Sequence, residues 1–363
     1  MSTFDRLADL PVRIESYGLE GQDREYGDFT RPSTIIHLHG DGHEGVGEDV
    51  VYDVLDHIAH RDAGPVLELS GPGTLGGLCE LLGELDLFGA APPEREPSRH
   101  YRRWAYESAA LDLALRQNGV PLHEALGLEP KPLTFVCSTR LGGIGEDAPP
   151  STTEPVRKRL AKYPGLRFKL DPENDWGAEL IAELNEIAGV DILDLKGLYK
   201  GTPVDVDTDP ELYRSVAEAF HDAYLEDPDV NDETRPVLEP HADRITWDAP
   251  LHSLADIEGL ERKPKAINSK PSRFGSLQEL LSIYDHCERE GIAIYGGGQG
   301  EIGVGRGQIQ YLASLVHPDT PNDVAPSGYN DPAVPDGLAT SPMDPVPSET
   351  GFRWGEPGKY ASR

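Results

Sequence analysis

Hydrophobic positions fall into two rhythms along the chain. Over residues 11 to 52 they alternate with polar ones in three short runs, LPVRIESYGL, STIIHLHGDG and HEGVGEDVVY, separated by glycine-rich turns. A period of two with that punctuation predicts a small antiparallel sheet. Helical segments follow near 74–84 and 100–118. The second carries Ala109, Leu111, Leu113, Ala114 and Leu115 on an apolar helix, and Asn118-Gly119 marks its C-terminal stop. Strands followed by helices make an α+β unit.

From Pro132 short apolar strands alternate with helices. The strand candidates are 133–138, 166–171, 190–195, 222–227, 244–249, 265–270 and 292–297. GAELIAELNEIAG, PELYRSVAEAFHDA and SLQELLSIYDHCEREG are helices between them. This alternation predicts a parallel sheet, and its length predicts a closed barrel. After Pro318 the chain is rich in Pro, Gly, Ser and Asp, which predicts a tail that wraps the surface or returns to the first unit.

Composition narrows the function classes. A length of 363 residues suits two domains, or one barrel with an addition. Lys+Arg is 33 against 64 Asp+Glu, a formal net charge of −31, which disfavours nucleic acid and anionic membranes as partners. An acid excess with only 10 lysines also suits a salt-adapted, halophilic surface. No apolar run reaches the roughly 18 residues of a membrane helix, and the N-terminus has no secretion pattern, so a cytoplasmic protein is expected. Cys79, Cys137 and Cys287 have no metal or disulfide spacing and read as core residues. His37, His39 and His43 lie on a strand and turn without a metal-ligand spacing and read as structural or solvated.

The chemistry lies at the C-terminal ends of the predicted barrel strands, where barrel enzymes build their sites. Successive strands place Lys169, Asp194, Glu226, Asp248 and Lys270 there. Three carboxylates suit a hard cation, most simply Mg²⁺. A desolvated lysine beside a cation has its pKa lowered and can serve as a base. Glu239 rivals Glu226 but lies only 9 residues before Asp248, too close for another strand–helix–strand unit. The segment GGGQGEIGVGRGQIQ supports two readings, an anion cradle at a helix N-terminus or a tight turn for close packing.

GHEGVGEDVVY, ESAALDLALRQNGVPLHEALG, FKLD, LDLKG, YLEDP, WDAP and INSKPSRFGSLQELL together resemble the enolase superfamily, in its mandelate-racemase and muconate-lactonizing branch. The resemblance covers most of the chain. It implies an α/β fold, a modified (β/α)7β TIM-type barrel under an N-terminal α+β capping domain. The expected divisions are 1–131 for the cap, 132–320 for the barrel and 321–363 for the returning segment. It implies Asp194, Glu226 and Asp248 as Mg²⁺ ligands and Lys169 and Lys270 as acid/base groups. The implied chemistry is abstraction of the proton next to a small substrate's carboxylate, a case for which a Lys base and Mg²⁺ are an established pairing. Racemisation, syn elimination and cycloisomerisation all fit, and a homo-oligomer is the family-level expectation.

The sequence departs from the family pattern in places. Arg167 replaces the first lysine of a frequent Lys-x-Lys, and is expected to supply a permanent positive charge to the site. Were Lys169 that first position, Asp171 would stand where the base belongs. Lys196 stands where Asn is frequent, Ala249 follows Asp248 in place of Glu, and Ser276 follows Gly275 in place of a second Gly. Asn268, Gln299 and Glu301 are expected near the substrate, with Glu301 touching Lys270. Tyr17, Arg24, Tyr26 and Arg31 are expected contacts from an early loop that closes over the barrel. The competing readings are a non-catalytic superfamily member and an aldolase using Lys270 as a Schiff base. A sugar isomerase on a plain barrel would lack the first 130 residues.

Overall fold

The structure is a computed structural model that describes residues 2–26, 29–89, 91–144, 148–202 and 204–355. The first unit contains the expected antiparallel sheet. Strands β2 (Ser16–Tyr26), β3 (Phe29–Gly40) and β4 (His43–Asp49) pair in that order, and β1 (Pro11–Ile14) pairs separately with β5 (Gly71–Thr74). The helix Ser98–Gln117 packs across this sheet. Two glycines permit the contact: a Cβ at Gly45 would lie 2.2 Å from the Ala109 carbonyl oxygen, and one at Gly47 2.0 Å from that of Ala105. That is the physical content of the GVGED pattern. The helix ends as predicted: Asn118 donates to the Ala114 carbonyl and Gly119 takes φ +68°.

The second unit is built on parallel strands. These are β6 (Cys137–Thr139), β7 (Arg167–Leu170), β8 (Gly189–Asp194), β9 (Tyr224–Glu226), β10 (Ile245–Thr246), β11 (Ala266–Ser269) and β12 (Ala293–Gly296). Strands β6 to β10 pair in sequence order, and β11 pairs with β12. The Asn268 amide bonds the Trp247 carbonyl at 3.0 Å and joins β10 to β11.

Residues 322 to 324 provide the eighth position. The Val136 amide bonds the Asn322 carbonyl at 2.8 Å, and the Asp323 amide bonds the Gly296 carbonyl at 2.7 Å. Hydrogen bonds therefore run all the way round the ring. This closing segment lies in the stretch that composition marks as tail. Beyond it the chain returns to the cap, where Asp112 receives the Phe352 amide and the Arg353 guanidinium, each at 2.8 Å. All three cysteines are free and buried. No helix among the described residues is long and apolar enough to cross a membrane.

Candidate active site

Parallel strands in a closed ring deliver their C-terminal ends to one mouth. Asp194 ends β8 and Glu226 ends β9, and the two are register partners. Lys169 lies in β7, Asp248 follows β10 by two residues, and Lys270 directly follows β11. All five side chains are buried. Glu239 lies outside, in a 3-10 turn, ion-paired to Arg262 at 2.7 Å.

The buried charges pair in a definite pattern. Lys169 Nζ is 3.0 Å from Asp194 Oδ2, bonds Glu226 Oε1, and is 3.7 Å from Asp323 Oδ2. Lys270 Nζ donates to Asp248 Oδ2 at 2.6 Å, and the Tyr199 hydroxyl donates to the same oxygen at 3.0 Å. Arg273 Nε is 3.5 Å from Asp248 Oδ1, which accepts no hydrogen bond. The other oxygen of Glu226, Oε2, accepts from Asn268 Nδ2 at 3.1 Å and from the Tyr295 hydroxyl. Asp227 receives the amides of Asp248 and Ala249, each at 2.8 Å, from a left-handed φ of +49°.

Burial and charge pull these groups apart in acidity. Burial opposes ionisation of Asp194 and Asp248, but adjacent ammonium and guanidinium groups outweigh it and hold both far below the usual carboxylate range. For Glu226 burial wins over Lys169, with Asp194 and Asp248 adding repulsion, and its pKa rises to about 8. Asp227 rises to about 7 from burial and the charges of Asp248 and Asp194. Lys169 is raised, because Asp194 and Glu226 overcome the burial that disfavours its charge.

Asp194, Glu226 and Asp227 each offer a carboxylate oxygen within 4.8 Å of the others, the only such grouping of potential metal ligands among the described residues. An all-oxygen, buried donor set suits Mg²⁺. The trio differs from the predicted one by a single residue, with Asp227 in place of Asp248. Asp248 is drawn to Lys270, Tyr199 and Arg273 but keeps an oxygen without a donor.

Comparison with known proteins places this geometry. The model described as "Domain of unknown function (DUF8230) N-terminal domain" matches residues 5–125, and that of the corresponding C-terminal domain matches residues 129–331. The chain belongs to the DUF8230 family. Among curated relatives, the N-succinylamino acid racemase of Thermus thermophilus is 26% identical over 368 aligned positions, covering 96% of this chain and 92% of that one. The o-succinylbenzoate synthase of Bacillus subtilis is 43% identical over 63 residues, 17% of each chain. Among solved structures, the dipeptide epimerase of Methylococcus capsulatus, complexed with a Mg ion, has a TM-score of 0.68 at 18% identity, covering 95% of this chain and 100% of that one. The muconate cycloisomerase of Pseudomonas fluorescens has a TM-score of 0.61 at 17% identity, covering 96% and 95%. The fold of this DUF8230 chain is that of the enolase superfamily, as its sequence motifs suggest.

Several expected contacts of the DUF8230 chain lie elsewhere. Arg167 does not enter the mouth: its guanidinium is half exposed and paired with Asp191 at 2.6 Å. Arg167 opens β7, two residues before Lys169 and so at the end of the strand away from the mouth, and the extra residue that β8 carries beside it, Asp191, is its partner. Tyr17 lies inside the cap, where its hydroxyl accepts the Leu67 amide at 2.8 Å. Arg24 pairs with Asp331 at 2.6 Å. Arg31 binds the carbonyls of Val50, Val51, Gln299 and Gly300 and latches the cap to the loop after β12. The side chain of Tyr26 lies outside the described residues.

Gln299 is held between two cap tyrosines, accepting from Tyr52 at 2.9 Å and donating to Tyr101 at 3.2 Å. Glu301 accepts the Gln299 amide through Oε1 at 2.8 Å, while its Oε2 lies 3.5 Å from Arg306 and accepts no hydrogen bond; among the described residues its ion pair is with Arg306 and not with Lys270. The glycine-rich segment does form an anion cradle, and Glu48 of β4 fills it: its carboxylate accepts the amides of Ile302, Gly303 and Gly305. His37 bonds Glu44 at 2.9 Å and Glu20 at 3.1 Å on the cap sheet.

Sequence reasoning missed Asp227, Tyr199, Arg273, Tyr295 and Asp323. Asp227 and Arg273 sit inside the quoted YLEDP and INSKPSRFG motifs and were within reach. Tyr295 shares a strand face with the site by the two-residue period of β12. Asp323 was hidden because its strand reads as tail.

Proposed function

We propose that this chain is a Mg²⁺-dependent isomerase or lyase that moves the proton on the carbon next to a substrate carboxylate. The observation that carries this reading is the split pairing of two buried lysines. Lys169 is held by Asp194 and Glu226, and Lys270 by Asp248, along one array of carboxylates. Asp194, Glu226 and Asp248 are the proposed ligands, and Asp227 braces the Asp248 turn through two backbone amides. When bound, the cation supplies positive charge against the anion that develops on the substrate carboxylate.

The remaining work falls to the protein. One lysine removes the proton at Nζ, and the other, in its ammonium form, supplies charge or returns a proton on the opposite face. Gln299, held by Tyr52 and Tyr101, and the buried Arg273 orient the substrate. By their names, one relative racemises N-succinylamino acids, one makes o-succinylbenzoate and one epimerises dipeptides, which supports small carboxylates, N-substituted amino acids among them, as the substrate class. A Schiff-base role for Lys270 gains no support, because its ammonium is bound to a buried carboxylate.

The test is incorporation of deuterium at the α-carbon of N-succinylamino acids and dipeptides in D₂O with Mg²⁺, followed by mass spectrometry. Incorporation is expected in the wild type and at least about 100-fold less in Lys270→Met and Lys169→Met, the scale of general acid–base catalysis. Incorporation that survives both substitutions would remove the lysines from the mechanism.

A further inference from the structure

Asp194 is gripped by a residue only two positions further along the chain. The Lys196 amide approaches Asp194 Oδ1 at 3.3 Å, and Lys196 Nζ bonds Asp194 Oδ2. To double back in this way Lys196 adopts φ +53°, a left-handed conformation uncommon outside glycine. The same ammonium lies 3.8 Å from Asp171 Oδ1, a buried oxygen that accepts no hydrogen bond. It also lies 4.9 Å from the centre of the Tyr199 ring. One enclosed positive charge therefore stands between two carboxylates, one gripped and the other incompletely satisfied.

Lys169 also touches Asp194, but it is shared with Glu226 and Asp323. Lys196 differs because Asp194 is the one proposed ligand it touches, whereas Lys169 touches two, and its other carboxylate neighbour, Asp171, lies outside the proposed ligand set. A cation entering beside Asp194 repels the Lys196 ammonium, and a short rotation toward Asp171 relieves that repulsion without exposing or unpairing the charge.

We propose that Lys196 tunes the metal site: its ammonium competes with Mg²⁺ for Asp194, and Asp171 is the partner that receives it when Mg²⁺ binds. The proposal rests on the reading above that Asp194 is a metal ligand. It makes Lys196 a positioning residue with a definite sign. Removing its charge strengthens metal binding, whereas removing the charge of Asp171 weakens it.

The experiment is calorimetric titration of the full-length chain with Mg²⁺ at constant pH and KCl, with circular dichroism to establish folding. Lys196→Gln is expected to bind Mg²⁺ at least about tenfold more tightly than wild type, equivalent to about 1.4 kcal/mol. Asp171→Asn is expected to bind at least about threefold more weakly, and this effect is expected to vanish in the Lys196→Gln background. A lysine that merely props the loop would give the opposite sign, since its loss would loosen Asp194. Equal or weaker binding by Lys196→Gln, with wild-type binding intact, overturns the proposal and leaves the metal reading standing. Absence of Mg²⁺ binding in both proteins overturns the metal reading and the proposal with it. If Lys196→Gln does not fold, Asp171→Asn decides alone, and unchanged affinity there overturns the proposal.

Discussion

One oxygen of Glu226 faces Lys169, while the other is bonded by Tyr295 and Asn268. The tyrosine hydroxyl also meets Thr246 Oγ1 at 2.8 Å, so a chain of polar groups fixes the carboxylate from below. Groups that orient a metal ligand typically govern about 10- to 100-fold in metal affinity. Tyr295→Phe is therefore expected to weaken Mg²⁺ binding by about tenfold and, by leaving Thr246 Oγ1 without its partner, to cost about 1–2 kcal/mol of stability, checked by titration and melting. His317 gives a second prediction. It is buried, bonded through Nδ1 to Asn322 at 2.6 Å, and burial lowers its pKa from 6.5 to about 4. The unfolded chain therefore binds the extra proton between those values. The stability contributed by neutral His317 is complete above pH 6.5 and declines as pH falls toward 4, by about 3 kcal/mol in all. In urea titrations His317→Gln is expected to flatten that decline; an unchanged slope would refute the assignment. At this scale the lysines and carboxylates at the strand ends were legible because an apolar strand followed by a charged residue points to the barrel mouth. Arg167 was misread because the two-residue period shows which face a strand residue shares but not that Arg167 stands at the first residue of β7, away from the mouth.

At the scale of elements, β4 joins the two halves of the molecule. Its glycines admit the helix Ser98–Gln117, and its Glu48 reaches the amides that open the helix Val304–Val316. The unsatisfied N–H groups and the helix dipole favour a carboxylate there, against burial and the nearby Glu301, which together raise its pKa above the ordinary value. Glu48→Ala would leave the Ile302, Gly303 and Gly305 amides without their acceptor. The expected cost is about 3 kcal/mol or more, read as a lower denaturation midpoint, with the loop carrying Gln299 loosened as well. The sequence showed both the GVGED strand and the glycine-rich segment. That each completes the other was not legible, since they lie more than 250 residues apart and neither pattern names its partner. The same blindness concealed the closing strand at 322–324. Its two hydrogen-bonding neighbours supply the order, while its own Pro-rich surroundings read as tail.

The whole molecule carries a formal charge of −31, and its ion pairs leave most of that excess unbalanced. Arg–carboxylate pairs such as Arg157–Glu183 and Arg235–Glu261 are solvent-exposed, so each contributes little to stability. The uncompensated acids repel one another across the surface and oppose the compact state. Salt acts on these two terms in opposite directions. It weakens the exposed pairs, and it screens the repulsions among the excess acids as the Debye length falls from about 10 Å at 0.1 M to about 3 Å at 1 M. With 64 acids against 33 bases the repulsive term is the larger. The melting temperature is therefore expected to rise by at least about 5 °C between 0.1 and 1 M KCl, allowing about 2–4 °C per kcal/mol for a mid-sized domain. An uncharged osmolyte at matched osmolality is expected to produce a smaller rise, because it leaves the charges unscreened. A melting temperature that stays level or falls with KCl would show that the attractive pairs dominate, and would remove the physical basis for reading this surface as adapted to salt.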